Sequence, residues 1–237
     1  SQQQRSEVRI FGLQKMTLLD YPGKIAATLF TGGCNFRCPY CQNSDLVFLP
    51  EDASEIPQPE LMQFLEKRQG LLEGVCISGG EPLIHPGLDE LLRQIRKLGY
   101  PVKLDTNGSF PDKLKQLIDE GLVDYVAMDL KNCRERYGET AGVSALECAR
   151  IEQSVQILME DQVPYEFRTT VVRQLHDERD IERIGQWVQG ARKLVLQQFV
   201  DSERVICPGL QGYSRQEMER FREILLPWVA NTEIRGC

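Results

Sequence analysis

Residues 75–106, VCISGGEPLIHPGLDELLRQIRKLGYPVKLDT, contain a strand, a helix and a second strand in immediate succession. Val75 to Ser78 is a short apolar run closed by the glycine pair Gly79-Gly80, and Val102 to Thr106 is a second β-rich run. Between them Leu88, Leu91, Leu92 and Ile95 recur at three and four residues, which puts one apolar face on a helix from Gly87 to Leu98. Strand, helix and strand at this spacing form the crossover unit of a parallel sheet. The alternation continues in both directions. Further strands are predicted at Ala26 to Thr31, Tyr125 to Leu130, Glu166 to Val172 and Leu194 to Val200, and further helices at Pro59 to Leu72, Pro111 to Glu120, Ala145 to Asp161, Glu178 to Gly190 and Ser214 to Trp228. Six βα units without near-identical repeats predict an α/β fold, an incomplete TIM-like (β/α)6 barrel. Loops at the carboxyl ends of its strands should converge on one site. The expected organisation is a single domain over 1–237: a hairpin-like extension at 1–25, the six-strand partial barrel at 26–200, and a C-terminal helix and tail at 201–237.

The loop after the first barrel strand reads Gly32-Gly33-Cys34-Asn35-Phe36-Arg37-Cys38-Pro39-Tyr40-Cys41-Gln42-Asn43. Its C-x-x-x-C-x-x-C spacing supplies three thiolates from one segment, which suits three corners of an iron–sulfur cube and leaves the fourth iron without a protein ligand. The competing reading is a structural zinc site, which is tetrahedral and needs a fourth Cys or His. That ligand would have to come from far along the chain: the next cysteine is Cys76, and the two histidines, His85 and His176, are remote in sequence. Cys76, Cys133, Cys148, Cys207 and Cys237 are scattered without pairing spacing, and a chain of 237 residues does not need disulfides to fold.

The second motif, Gly79-Gly80-Glu81-Pro82, ends the strand of residues 75–78. Paired glycines let a ligand approach the backbone, and the glutamate offers an acceptor to an ammonium group, although the same residues occur in ordinary strand-to-helix turns. Taken together, the cysteine loop and this strand end resemble the radical S-adenosylmethionine (SAM) superfamily. The resemblance implies one [4Fe-4S] cluster on Cys34, Cys38 and Cys41, whose open iron chelates SAM, with Gly79, Gly80 and Glu81 at the methionine end of the cofactor. It places Tyr40 near the adenine and puts Gln42 beside the last ligand. Reductive cleavage of the sulfonium then yields a 5′-deoxyadenosyl radical, the cofactor carrying the chemistry and the protein the orientation.

Two acids fall in apolar strands, Asp105 in Lys103-Leu104-Asp105-Thr106-Asn107 and Asp129 in Met128-Asp129-Leu130-Lys131. A buried charge costs several kcal/mol unless it is paired or bound to a cation, so these residues form either a structural ion pair with Lys131 or a ligand site. Here the chain is similar to the pyruvate formate-lyase activating enzyme group. That likeness implies SAM contacts for Asp105, Thr106, Asn107, Asp129 and Lys131, a catalytic role for Lys131, and a monovalent cation on Asp105, Thr106 and Asp129. Arg168 matches an arginine of the same group, its alternative being a salt bridge at the sheet end. Gly12 to Lys24, ending in the turn Tyr21-Pro22-Gly23-Lys24, resembles the opening of anaerobic ribonucleoside-triphosphate reductase activating proteins.

Residues 42–75 contain no cysteine, so a single cluster is expected. The net charge of −7 argues against an extended nucleic-acid footprint. Ser1 to Arg9 is polar, and no stretch has the length and apolarity of a membrane span, which places the chain in the reducing cytoplasm. The resemblance implies a glycyl radical enzyme as protein substrate, foremost an anaerobic ribonucleotide reductase, with a flavodoxin- or ferredoxin-like electron donor. The alternatives are a radical SAM enzyme acting on a small or nucleotide-like molecule, and a metal- or cluster-binding redox module without turnover.

Overall fold

The structure, a computed structural model, describes residues 7–144 and 148–237. The start of the polar N-terminal stretch and the predicted first residues of the helix at 145–161 lie outside them. Eight strands form one sheet: β1 (Ile10–Thr17), β2 (Ala26–Thr31), β3 (Gly74–Gly79), β4 (Val102–Thr106), β5 (Tyr125–Asp129), β6 (Tyr165–Val171), β7 (Leu194–Gln198) and β8 (Thr232–Arg235). They lie side by side in chain order, β1 antiparallel to β2 and every later pair parallel. β1 and β8 are unpaired with each other and leave the barrel open along one side. Around it run α1 (Ser44–Val47), α2 (Gln58–Lys67), α3 (Leu88–Lys97), α4 (Pro111–Asp119), α5 (Tyr137–Ala141), α6 (Cys148–Met159), α7 (Glu178–Trp187) and α8 (Arg215–Leu225).

Strand register separates two chemistries. Leu29, Ile77, Leu104, Val126 and Tyr165 are successive partners across β2 to β6 and are all buried, forming a row on the face that meets the helices. The apolar stripe of α3, Leu88, Leu91, Leu92 and Ile95, is buried in the same core. Alternate residues face the other way. Thr28, Cys76, Lys103 and Tyr125 form one inner row, and Asp129, Arg168, Val195 and Glu233 another. Closed barrels of this kind fill their interior with branched apolar side chains. This interior is polar, which the sequence shows in three strands with charges two residues apart, Lys103/Asp105 on β4, Glu166/Arg168 on β6 and Glu233/Arg235 on β8.

The sheet has two strands more than the six predicted. The hairpin expected at 1–25 is β1 turned onto β2 through Tyr21 to Lys24, where Lys24 N donates to Tyr21 O at 3.1 Å and Gly23 adopts φ +74°. The tail beyond α8 carries β8, whose inward residues are charged: Arg235 pairs with Glu166 at 3.2 Å and Glu233 with Lys193 at 3.6 Å. With Glu and Arg on the inner face, that strand has no apolar alternation to reveal it. Capping boxes at Asp177/Asp180 and Ser214/Glu217 start α7 and α8, satisfying first-turn amides.

Candidate active site at the carboxyl ends of the strands

The cysteine loop leaves β2 and is braced on every side. Gly33 N donates to Leu46 O at 2.6 Å, Arg37 N to Ala141 O at 2.8 Å and Cys41 N to Cys38 O at 3.0 Å. Arg37 also donates its guanidinium to the carbonyls of Cys34 and Phe36. Asn35 and Ser109 lock the loop to the turn after β4: Asn35 Nδ2 donates to Ser109 Oγ at 2.9 Å, and Asn107 Nδ2 donates to Asn35 Oδ1 at 2.9 Å. His85, remote in sequence, reaches the Gly32 carbonyl with Nε2 at 2.9 Å. The segment after β7 closes over the loop, with Ile206 N on Cys41 O at 3.2 Å and Cys207 N on Pro39 O at 2.8 Å. Gln42, expected beside the cofactor, spends its amide on Val200 O and Ser202 Oγ and so ties down that segment.

At the end of β3 the glycines serve the chain's own packing as well as any ligand. A Cβ on Gly80 would lie 2.0 Å from Gly33 O, and one on Gly79 2.4 Å from Thr31 Oγ1, so the cysteine loop passes directly over this strand end. Glu81 departs from its expected role. It is fully buried and accepts from Asn107 N at 2.7 Å, Thr106 Oγ1 at 2.8 Å and Leu83 N at 3.2 Å. Its carboxylate therefore organises the β4 turn instead of meeting a cofactor ammonium, and it does not line the cavity below. Burial outweighs these three donors and pushes its pKa up to about 7.

Asp105 and Asp129 face the interior as read from the sequence, but their partners differ. Asp105 pairs with Lys103 at 2.6 Å, a residue that the motifs did not single out, and Asp129 pairs with Lys131 at 3.5 Å. Arg168 spans both acids, at 3.5 Å to Asp105 and 3.6 Å to Asp129, and its Nε is buried without a partner. Burial raises the Asp105 carboxyl, and Arg168 and Lys103 more than reverse this, leaving it below the ordinary carboxylate range. Burial lowers the Lys131 ammonium, and Asp129, Cys38 and Tyr40 more than compensate. Lys131 Nζ stands 5.9 Å above the centre of the Tyr40 ring, so that ring is covered by a cation on one face. His176 supports the same segment: Nδ1 accepts from Val172 N at 3.0 Å, which leaves Nε2 to donate to Lys131 O at 2.8 Å.

The monovalent-cation site does not fit. The Thr106 hydroxyl accepts from Gly108 N at 3.2 Å while donating to Glu81, and Asp105 already holds an ammonium and a guanidinium.

A cavity of about 430 Å³ opens where these parts meet, lined by Cys34, Cys38 and Cys41, by Gly79 and Gly80, and by Lys131. It adjoins a polar chamber of about 370 Å³ lined by Asp105 and Arg168, and the two share Gly79, Gly80, Asn107, Asp129 and Thr170. The donor set fits a cluster. Among the described residues no three His, Cys, Asp or Glu side chains converge as ligands of one ion, whereas the thiolates of a cube each bind a different iron. A single zinc needs that convergence. Burial pushes the Cys34 thiol up to about 11 and raises Cys38 as well. Both are therefore protonated until iron supplies the compensating charge.

Lys103, Asn35, Ser109, His85 and the clasp after β7 are the parts that motif reading missed. The one available signal was Lys103 itself, a lysine at the inward position of a strand.

Comparison with known proteins agrees with this geometry. A candidate glycyl-radical enzyme activating enzyme of Methanocaldococcus jannaschii is 34% identical over 95% of both chains. A pyruvate formate-lyase-activating enzyme of Staphylococcus epidermidis is 32% identical over 41% of each. The crystal structure of Streptococcus suis SuiB bound to S-adenosylmethionine superposes with a TM-score of 0.69 at 16% identity, covering 86% of this chain and 48% of that one. The chain thus spans about half the length of SuiB, and at that identity the likeness is one of fold. The Radical SAM superfamily profile matches residues 28–188, and with it the chain belongs to the Radical SAM superfamily.

Proposed function

We propose that this chain is an activating enzyme that uses a [4Fe-4S] cluster and SAM to abstract a hydrogen atom from a backbone glycine of a partner enzyme. The observation that carries this reading is the cavity in which three unpaired cysteine thiols, a glycine strand edge and Lys131 meet, continuous with a barrel open along one side. The relative at 34% identity over nearly the whole chain supports the same activity class.

When bound, the cluster and SAM supply an open iron, one electron and a 5′-deoxyadenosyl radical. Cys34, Cys38 and Cys41 would hold the iron. Gly79 and Gly80 present backbone at the cavity wall, and Lys131 contributes a fixed positive charge beside Cys38 and Tyr40. The clasp of Ile206 and Cys207 fixes the backbone of the cysteine loop at Pro39 and Cys41. Asp129 lines both cavities and Arg168 the polar chamber, where a polypeptide loop entering from the open side would meet hydrogen-bonding side chains. The domain is taken as one unit over 1–237. An anaerobic ribonucleotide reductase is the partner favoured by the Gly12 to Lys24 segment, with a flavodoxin- or ferredoxin-like donor in a reducing cytoplasm. No helix among the described residues is long and apolar enough to cross a membrane.

The test is anaerobic mixing of reconstituted enzyme, reductant and SAM with the candidate reductase. 5′-Deoxyadenosine together with a glycyl radical signal in electron paramagnetic resonance is expected. Cofactor cleavage without a protein radical overturns the reading. The polar chamber favours a second reading, a small polar substrate, which predicts product formation with no partner protein present. Family membership replaces the redox module without turnover by an enzyme.

A further inference from the structure

We propose that the Lys103 ammonium is a built-in cation: it holds Asp105 in place of a bound monovalent metal ion, so that SAM binding by this chain is independent of sodium and potassium. Lys103 lies two residues before Asp105 on β4, so both side chains point into the barrel, and its Nζ lies 2.6 Å from Asp105 Oδ1 with both groups nearly enclosed. The other carboxylate oxygen faces Arg168 Nη2 at 3.5 Å and the Cys76 thiol at 3.6 Å. Both oxygens thus already face a cation fixed to the chain. The other candidate ligands are engaged as well: the Thr106 hydroxyl accepts from Gly108 N at 3.2 Å while donating to Glu81, and Asp129 pairs with Lys131 and Arg168.

Charge counts in the same direction. Lys103, Lys131 and Arg168 balance Asp105, Asp129 and Asp20, the last lining the same chamber, and the next layer is neutral in itself because Glu166 pairs with Arg235. This layer therefore carries no excess negative charge to hold a mobile cation, whereas a cation tethered to the chain needs no dissociable site. Lys103 is thus a positioning residue: it fixes Asp105, which with Arg168 sets the wall of the chamber beside the cluster cavity. The inference rests on the reading of the site as a SAM site and is independent of the protein substrate. Failure to form a partner radical would leave SAM binding measurable.

The experiment is calorimetric SAM binding to the reconstituted full-length enzyme in tetramethylammonium, sodium and potassium chlorides at equal ionic strength, with Lys103→Ala and Lys103→Met beside the wild type. Wild-type affinity should agree across the three salts within about twofold. Lys103→Ala should bind at least about tenfold more weakly in tetramethylammonium and recover most of that in sodium or potassium, because the vacated space admits an ion. Lys103→Met, which removes the charge but fills the space, should stay weak in all three. Wild-type affinity that rises with sodium or potassium overturns the proposal. So does a Lys103→Ala variant that is unaffected, or one that is weakened without rescue. If Lys103→Ala does not fold in tetramethylammonium, recovery of a cooperative thermal transition in sodium or potassium is the expected result, and none in either salt overturns it.

Discussion

Substituting Gly80 by alanine tests how the cluster loop is seated. The added methyl would lie 2.0 Å from Gly33 O and 2.8 Å from Gly33 C, where ordinary contacts begin near 3.4 Å. Both neighbours are backbone, so relief requires the end of β3 and the residue before Cys34 to separate by more than 1 Å, a value set by the difference between those contacts. That shift breaks the bond from Glu81 N to the same Gly33 carbonyl, now 2.8 Å long. A lost buried hydrogen bond costs about 1 kcal/mol and overpacking about 1–3 kcal/mol, giving a destabilisation of about 2–4 kcal/mol. Against a total of about 5–15 kcal/mol for a domain, the fold survives with a displaced loop. Urea unfolding of the cluster-free protein under anaerobic conditions measures the first effect, and iron per chain after reconstitution the second. Gly99→Ala is the control: Gly99 has φ +91° and nothing near its Cβ, so about 1–2 kcal/mol of backbone strain is expected with iron loading unchanged. A Gly80→Ala protein within about 0.5 kcal/mol of wild type and carrying about four irons would refute the packing argument.

The remaining predictions concern charge. Glu81 rises in the fold from an ordinary 4.5 to about 7, so the folded state retains a proton that the unfolded chain releases. Its contribution is present below pH 4.5 and is lost as pH rises through 7, amounting to about 3 kcal/mol over that window. Glu81→Gln should flatten this part of the unfolding free energy between those limits, and parallel wild-type and variant profiles would count against it. Lys131→Met should load a full cluster yet bind SAM at least about tenfold more weakly, through loss of one enclosed charged contact; unchanged affinity by calorimetry would remove Lys131 from the site. Cluster assembly should release protons and improve as pH rises toward the elevated Cys34 value of about 11, since the thiol must ionise to bind iron. Loading that is flat or falls over the alkaline range, followed by absorbance of the cluster, would contradict that order of events.

Much of the fold was legible because its helices are amphipathic and its central strands apolar on the outer face. The stripe from Leu88 to Ile95 and the runs at 75–78 and 102–106 carry a period that only a helix-covered parallel sheet satisfies. β8 was illegible for the opposite reason. Its inner residues, Glu233 and Arg235, pair with Lys193 just before β7 and with Glu166 on β6, and nothing local announces those partners.

The site divides along the same line. Cys34, Cys38 and Cys41 are adjacent in sequence, so their spacing alone determined a three-thiolate loop and, with Gly79 and Gly80, the family. Which donors each acid meets was decided only in the folded sheet, where burial and register bring them to it. Glu81, within the most recognisable motif, turns inward to Thr106 and Asn107. Lys103, within no motif, shares the inward face of β4 with Asp105, and enclosure of that face by the sheet pairs the two. Sequence spacing specifies which groups a loop can offer; where a charge finds its counter-charge is a property of the assembled sheet, where burial makes an unpaired ion too costly to keep.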